Sequence, residues 1–200
     1  MQKENFVALL LAAGRGERYR ASGGAGFKLL AEVAPGRSVV RQACENLMQA
    51  GWPVQVVVRE RAEQVRQALA GLAVGFIDLP ADAQAGMSDS IRDAVIATQH
   101  ASGWLIALAD MPFLQAHTLH AVAAAVEEGA ALAFPQHDGQ RGHPVGFAAR
   151  LYPELVRLSG DHGAREVLRA HAGEAVAVDV DDPGVLRDVD TPADLGTSSA

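Results

Sequence analysis

Short apolar runs alternate along the chain with stretches of helical spacing, and the alternation sets the first expectations. Phe6–Ala12 is continuously apolar and is followed by glycine, the pattern of a strand buried on both faces. Val39, Ala43 and Leu47 share a helical stripe with Val40, Cys44 and Met48, and Gly51 follows as a stop signal. Val54–Val58 is β-branched enough for a second buried strand, and Glu60–Ala70 returns to helical spacing through Val65 and Leu69. Val74–Leu79 predicts a third strand and Pro80–Met87 a loop. Ser88 is placed to cap a helix whose inner face is Ile91, Ala94 and Val95. Trp104–Ala109 predicts a fourth strand that delivers Asp110 at its carboxyl end. Strand, helix, strand, helix is the rhythm of a mostly parallel sheet covered on both faces, a three-layer, Rossmann-like α/β fold.

The second half is less regular. Leu119, Val122 and Val126 predict a helix, Ala130–Phe134 a strand, and Pro144–Ala148 a strand or hairpin arm after the polar, glycine-broken His137–His143. Leu151–Leu158 and Ala164–Ala170 read as helical, Val176–Val180 as a strand and Leu186–Val189 as a final one. Thr191, Pro192 and Asp194 form a helix start, with Thr191 as N-cap. One domain over residues 1–195 is expected, with Gly196–Ala200 as a frayed tail.

Composition narrows the function classes. A net charge of −7 argues against a general nucleic-acid binder, which needs a broad basic surface. A single cysteine, Cys44, sits among the apolar positions of a helix and fits a reducing compartment. No apolar run approaches a membrane span, and Met1–Asn5 lacks the form of a secretion signal, so a cytoplasmic protein is expected.

The chemistry is local. The loop after the first strand holds Gly14, Gly16, Gly23, Gly24 and Gly26 together with Arg15, Arg18, Arg20 and Lys28. Glycines let backbone N–H groups approach an anion while the cations neutralise it, so the loop suits a polyphosphate; a mobile basic surface loop is the alternative. In open α/β sheets ligands bind at the carboxyl ends of the strands. Asp110, in Ala109-Asp110-Met111-Pro112, and the pair Asp188 and Asp190 should converge there, offering hard oxygen donors to a divalent cation that also holds nucleotide phosphates. Ordinary capping is the alternative for these acids. The common phosphate motifs fail: the third glycine of a dinucleotide fingerprint would fall at Tyr19, Arg59 and Glu60 follow the second strand where an acid should end it, and Lys28 is followed by Leu29. His117 and His120 lie three apart on a predicted helix, and His137 and His143 flank a loop. With no cysteine nearby and no second paired motif they read as solvated or hydrogen-bonded groups rather than a metal site, with His143 also a candidate hydrogen-bond donor to substrate.

Leu11–Arg18 with Lys28-Leu29-Leu30, Gly86-Met87-Ser88 with Ser90, Ala109–Phe113, Gly142-His143-Pro144-Val145, Gly160-Asp161 with Gly163-Ala164-Arg165, and Asp188–Pro192 occur in the order found in the molybdenum cofactor cytidylyltransferases. The chain resembles that family from Val7 to Leu195, within the wider nucleotidyltransferase superfamily. The resemblance implies the nucleotide-diphospho-sugar-transferase type of fold, Mg²⁺ or Mn²⁺ as cofactor, and transfer of CMP from CTP to the phosphate of molybdopterin. It places Leu11, Ala12, Ala13, Gly14, Arg15 and Gly16 along the nucleotide and Arg18 and Lys28 on the triphosphate. Asp110 and Asp190 would hold the metal, with Arg18, Lys28 and Asp110 as the catalytic group. Gly86, Ser88 and Ser90 would line the nucleoside side, and His143, Asp161 and Arg165 would face the pterin. Ala12-Ala13-Gly14 favours cytidine over guanosine in that family. The sequence departs from the pattern at Tyr19–Phe27, which lengthens the loop before Lys28 and leaves a flexible insertion that orders on nucleotide binding. A guanylyltransferase, a nucleotidyltransferase for a sugar phosphate or methylerythritol phosphate, and a non-catalytic cofactor maturation protein are the alternatives. Neither a nucleic acid nor a membrane is an expected partner; a molybdenum hydroxylase apoenzyme is a conceivable recipient of the product.

Overall fold

The computed structural model describes residues 6–80 and 86–196. The expectations for Met1–Asn5, for the middle of the Pro80–Met87 loop and for the last four residues of the tail lie outside the described residues. Strands and helices follow in the order β1 (Phe6–Leu11), α1 (Glu17–Ala21), β2 (Glu32–Ala34), β3 (Arg37–Ser38), α2 (Val39–Met48), β4 (Val54–Val58), α3 (Ala62–Ala68), β5 (Gly75–Asp78), α4 (Met87–Ala97), β6 (Gly103–Leu108) and α5 (Ala116–Glu127). Then come β7 (Leu132–His137), β8 (Gln140–Arg141), β9 (Val145–Ala148), α6 (Tyr152–Leu155), α7 (Arg165–Ala170) and β10 (Ala175–Asp179).

The main sheet has the order β10-β7-β9-β6-β1-β4-β5, with β8 paired to β7. β1 runs parallel to both β4 and β6, β4 to β5, and β10 to β7, while β9 is antiparallel to both of its neighbours. The mostly parallel three-layer arrangement expected from the sequence is the one observed. β1 explains why its sequence is apolar throughout. Ala8 and Leu10 point into one core with Val40, Ala43, Cys44 and Leu47 of α2 and Leu119 of α5; Val7, Leu9 and Leu11 point into the other with Ile91, Ala94 and Val95 of α4. Each leucine so buried contributes about 1.5–3 kcal/mol.

Several boundaries differ from expectation for identifiable reasons. Gly86, not Ser88, caps α4: its N–H donates to Asp89 Oδ2 at 2.9 Å, and Ser88 lies inside the first turn, 1 % exposed. The helix expected at Leu151–Leu158 shortens to α6 behind a 3-10 turn at Ala149–Leu151. Leu186–Val189 is not a strand. Pro183–Leu186 is a 3-10 turn whose Val185 carbonyl accepts from His143 N–H, and in the backbone that follows Val189 N–H donates to the Asp110 carbonyl. The expected flexible insertion at Tyr19–Phe27 is folded. Tyr19 is buried within α1, Gly24 N–H donates to the Tyr19 carbonyl, and Phe27 is buried beneath the Arg61 guanidinium.

Asp182, fully buried, fastens the C-terminal segment. Its carboxylate accepts from Thr118 Oγ1 at 2.7 Å, Gln115 N–H at 3.0 Å and Gly184 N–H at 2.9 Å, joining the start of α5 to the turn before Asp188. Asp182→Ala leaves three donors unmatched, two of them in buried hydrogen bonds, and is expected to lower the unfolding free energy by about 2–4 kcal/mol in urea titration. Burial pushes the Cys44 thiol up to about 11, with Glu45 adding to the shift and Arg41 opposing it, so it is protonated at pH 8. Ellman's reagent is therefore expected to react with Cys44 only after denaturation.

Candidate active site

The strand order turns at β1: the chain builds outward through β4 and β5 on one side and through β6 on the other. Ligand clefts form at such a reversal because the loops leaving the two neighbouring strands diverge. A cavity of about 530 Å³ opens there, lined by residues of the β1 loop from Leu11 to Arg18, by Lys28, Gly86 and Ser90, and by Asp110, Asp161 and Asp190.

Its chemistry centres on an ion cluster. The Lys28 side chain is 10 % exposed, and its Nζ donates to Asp110 Oδ2 at 2.7 Å and to Asp190 Oδ1 at 3.1 Å. Arg18 Nη1 donates to Asp190 Oδ2 at 2.9 Å. Gly16 permits this approach. It sits at φ +63°, and a Cβ there would press on the Lys28 Cβ at 3.1 Å. Burial works against the Lys28 ammonium, but Asp110 and Asp190 outweigh it and hold its pKa above the usual lysine value. Burial likewise opposes the Asp190 carboxylate, and hydrogen bonds from Arg18 and Lys28 overcome it, holding its pKa below the ordinary range. Asp190 therefore adds stability above the usual carboxylate range, which is lost as pH falls through its depressed pKa. Lys28 adds stability below the usual lysine range, which is lost as pH rises through its raised pKa. Between these limits Asp190 and Lys28 stay ionised.

Asp188 joins the two acids, with one oxygen from each of Asp110, Asp188 and Asp190 lying within 4.8 Å of one another. Three hard oxygens beside this cavity fit Mg²⁺ or Mn²⁺. Asp188 has its pKa raised by burial and by the charges of Asp190 and Asp110, the response of a carboxylate crowded by its own kind.

The remaining candidates are placed unequally. Leu11, Ala13, Gly14, Arg15, Gly16, Gly86, Ser90 and Asp161 line the cavity, whereas Ala12 is buried in the core beside it. Ser88 turns away, its hydroxyl donating to the Gly163 carbonyl at 2.9 Å. Asp161 accepts from Met87 N–H at 3.3 Å, while Arg165 opens α7 outside the lining. His143 precedes β9, whose Val145 pairs with Ile106 of β6, so it stands at the same sheet edge as Asp110. Burial lowers its pKa, the Asp110 charge partly offsets this, and its Nδ1 is buried with no hydrogen-bond partner among the described residues. The sequence reading missed Arg59, Glu17, Met87 and Leu108 in the lining, and Asp89, whose Oδ2 accepts from both Gly86 and Gly160 N–H groups. Arg59 had a signal, a cation at the end of a predicted parallel strand. Asp89 had none beyond its place near a helix start.

The model of the MobA-like NTP transferase domain matches residues 8–176. The chain belongs to this family. It therefore carries a nucleotidyltransferase domain. It is 32% identical over 192 residues to nicotine blue oxidoreductase of Paenarthrobacter nicotinovorans, covering 92% of each chain. Among solved structures, the Rv0371c homologue from Mycobacterium sp. strain JC1 superposes with TM-score 0.81 at 21% identity, covering 95% of this chain and 92% of that one. Rv0371c of Mycobacterium tuberculosis H37Rv, solved in complex with manganese, superposes at 0.74 with 25% identity, covering 96% and 95%.

Replacing Lys28 by Met leaves three carboxylates crowded without their buried cation. The variant is expected to lose about 1–3 kcal/mol of stability and to regain more of it than wild type on adding Mn²⁺, read as the metal-induced rise in Tm.

Proposed function

We propose that this nucleotidyltransferase is a cytidylyltransferase that joins CMP from CTP to the terminal phosphate of molybdopterin and releases pyrophosphate. The observation that carries the reading is the convergence of Arg18 and Lys28 on Asp110 and Asp190 at the mouth of the strand-reversal cavity. The acceptor phosphate is already anionic at neutral pH and needs no strong general base. One of its oxygens attacks the α-phosphorus as the bond from that phosphorus to the bridging oxygen of the β-phosphate breaks, and the electron pair leaves with pyrophosphate.

The chain's own work is positioning and neutralisation. The β1 loop from Leu11 to Gly16 lies along the nucleotide, and Arg18 and Lys28 balance the triphosphate charge. Asp110 and Asp190, with Asp188 beside them, hold Mg²⁺ or Mn²⁺, which supplies Lewis-acid stabilisation of the phosphoryl oxygens. The manganese in the Rv0371c structure supports that metal class. His143 and Asp161 face the pterin, with Arg165 at the margin of the acceptor site. The nucleotidyltransferase unit extends to Leu195, works in the cytoplasm and passes its product to a molybdenum hydroxylase.

Incubation with molybdopterin, Mg²⁺ and either CTP or GTP, followed by product mass, tests the reading directly. A cytosine dinucleotide product is expected from CTP; a guanine product alone would make the chain a guanylyltransferase. Asp110→Ala is expected to abolish transfer with the fold retained, and normal turnover in that variant would remove Asp110 from the mechanism. The name of the 32%-identical relative supplies a second reading, an oxidoreductase. Titration with CTP, GTP and NADH, each with and without Mg²⁺, separates the two: metal-dependent triphosphate binding is expected, whereas NADH binding indifferent to metal would favour the second.

A further inference from the structure

Arg59 leaves the carboxyl end of β4, on the opposite side of β1 from Asp110, and lines the cavity. Its guanidinium is held in place: Nη1 donates to the Pro80 carbonyl at 2.8 Å and Nη2 to Ser90 Oγ at 3.2 Å. Ser90 Oγ itself donates to the Gly86 carbonyl at 3.1 Å. The serine proton is thus committed inside its own helical turn while its lone pair receives Arg59. Ser90 is therefore a positioning residue, and Arg59 is the group presented to a ligand. A guanidinium has five N–H donors in a rigid fork, and the two bonds made among the described residues leave three for that ligand.

The two sides of the cavity differ in chemistry. Arg18, Lys28, Asp110 and Asp190 gather on the β6 side. Neighbouring strands lie about 4.8 Å apart, so β4 and β6, flanking β1, set Arg59 and Asp110 roughly 10 Å apart. That separation is close to the reach of a nucleoside monophosphate from phosphate to base edge. Leu11, Ala13 and Leu108 offer apolar contact between them.

We propose that Arg59, oriented by Ser90, reads the base of the bound nucleotide and selects an edge with two adjacent acceptors, which in a pyrimidine is the O2/N3 edge of cytosine. Uracil presents an N3–H at the same point, setting donor against donor. The inference rests on the nucleoside-triphosphate reading above and adds the residue that chooses between pyrimidines.

Calorimetric titration of the full chain with CTP and with UTP, both with Mg²⁺, tests it in wild type, Arg59→Met and Arg59→Lys, with thermal melting as the check on folding. Wild type is expected to bind CTP at least roughly tenfold more tightly than UTP. Arg59→Met should lose that factor for CTP with little change for UTP, and Arg59→Lys, which keeps the charge but not the fork, should leave CTP weak. Equal losses for the two nucleotides would make Arg59 a phosphate contact and overturn the proposal, as would full recovery of CTP binding by lysine. If Arg59→Met fails to fold, Ser90→Ala, which frees the fork, should reduce the CTP preference, and an unchanged preference would refute the idea. Wild type binding both pyrimidines equally defeats the role of Arg59 alone, whereas binding neither defeats the cytidylyltransferase reading as well.

Discussion

The contact on which the site depends is the buried ammonium of Lys28 between Asp110 and Asp190. It joins three distant parts of the chain: the loop after the first strand, the end of β6 and the segment that follows β10. Carboxylates this close repel one another, and burial together with the charges of Asp190 and Asp110 raises the pKa of Asp188. Lys28 and Arg18 supply the opposing charge that keeps Asp190 ionised. A site built this way is ready for polyanions and divalent cations because both signs of charge are already in place and held by packed elements.

The sheet and the C-terminal segment share the task of bringing these groups together. β1 and β6 run side by side, so the loop cations and Asp110 emerge at the same edge. Asp190 belongs to no strand. Asp182 pins the turn at Pro183–Leu186 to the start of α5, the Val189 N–H meets the Asp110 carbonyl, and Asp194 Oδ2 accepts from Asp190 and Thr191 N–H groups. These three anchors thereby do for Asp190 what strand pairing does for Asp110.

The strands β1, β4 and β6 were legible in the sequence because burial on both faces removes polar residues altogether. Asp110 was legible because a carboxylate directly after such a run must leave the apolar core at the sheet's carboxyl edge, where ligands bind. The region before Lys28 misled because glycine content suggested freedom, while the buried Tyr19 and Phe27 fix the segment through contacts that no local pattern records. Leu186–Val189 misled for the opposite reason: its apolar residues are buried by loop packing, which mimics the composition of a strand. Ser88 and Ser90 share a motif but face different partners, the Gly163 carbonyl and Arg59, and sequence spacing could not divide them. Asp182 was invisible because its three donors come from α5 and from its own turn.

The central claim is that the acid cluster and the cationic loop form one site in which metal and nucleotide phosphates are held together. Electron paramagnetic resonance titration of Mn²⁺, with and without CTP, measures that coupling. CTP is expected to tighten Mn²⁺ binding by roughly five- to 150-fold, the usual size of a coupling between two ligands, and Asp110→Asn to remove the effect. Mn²⁺ affinity indifferent to CTP in the wild-type protein would contradict the claim.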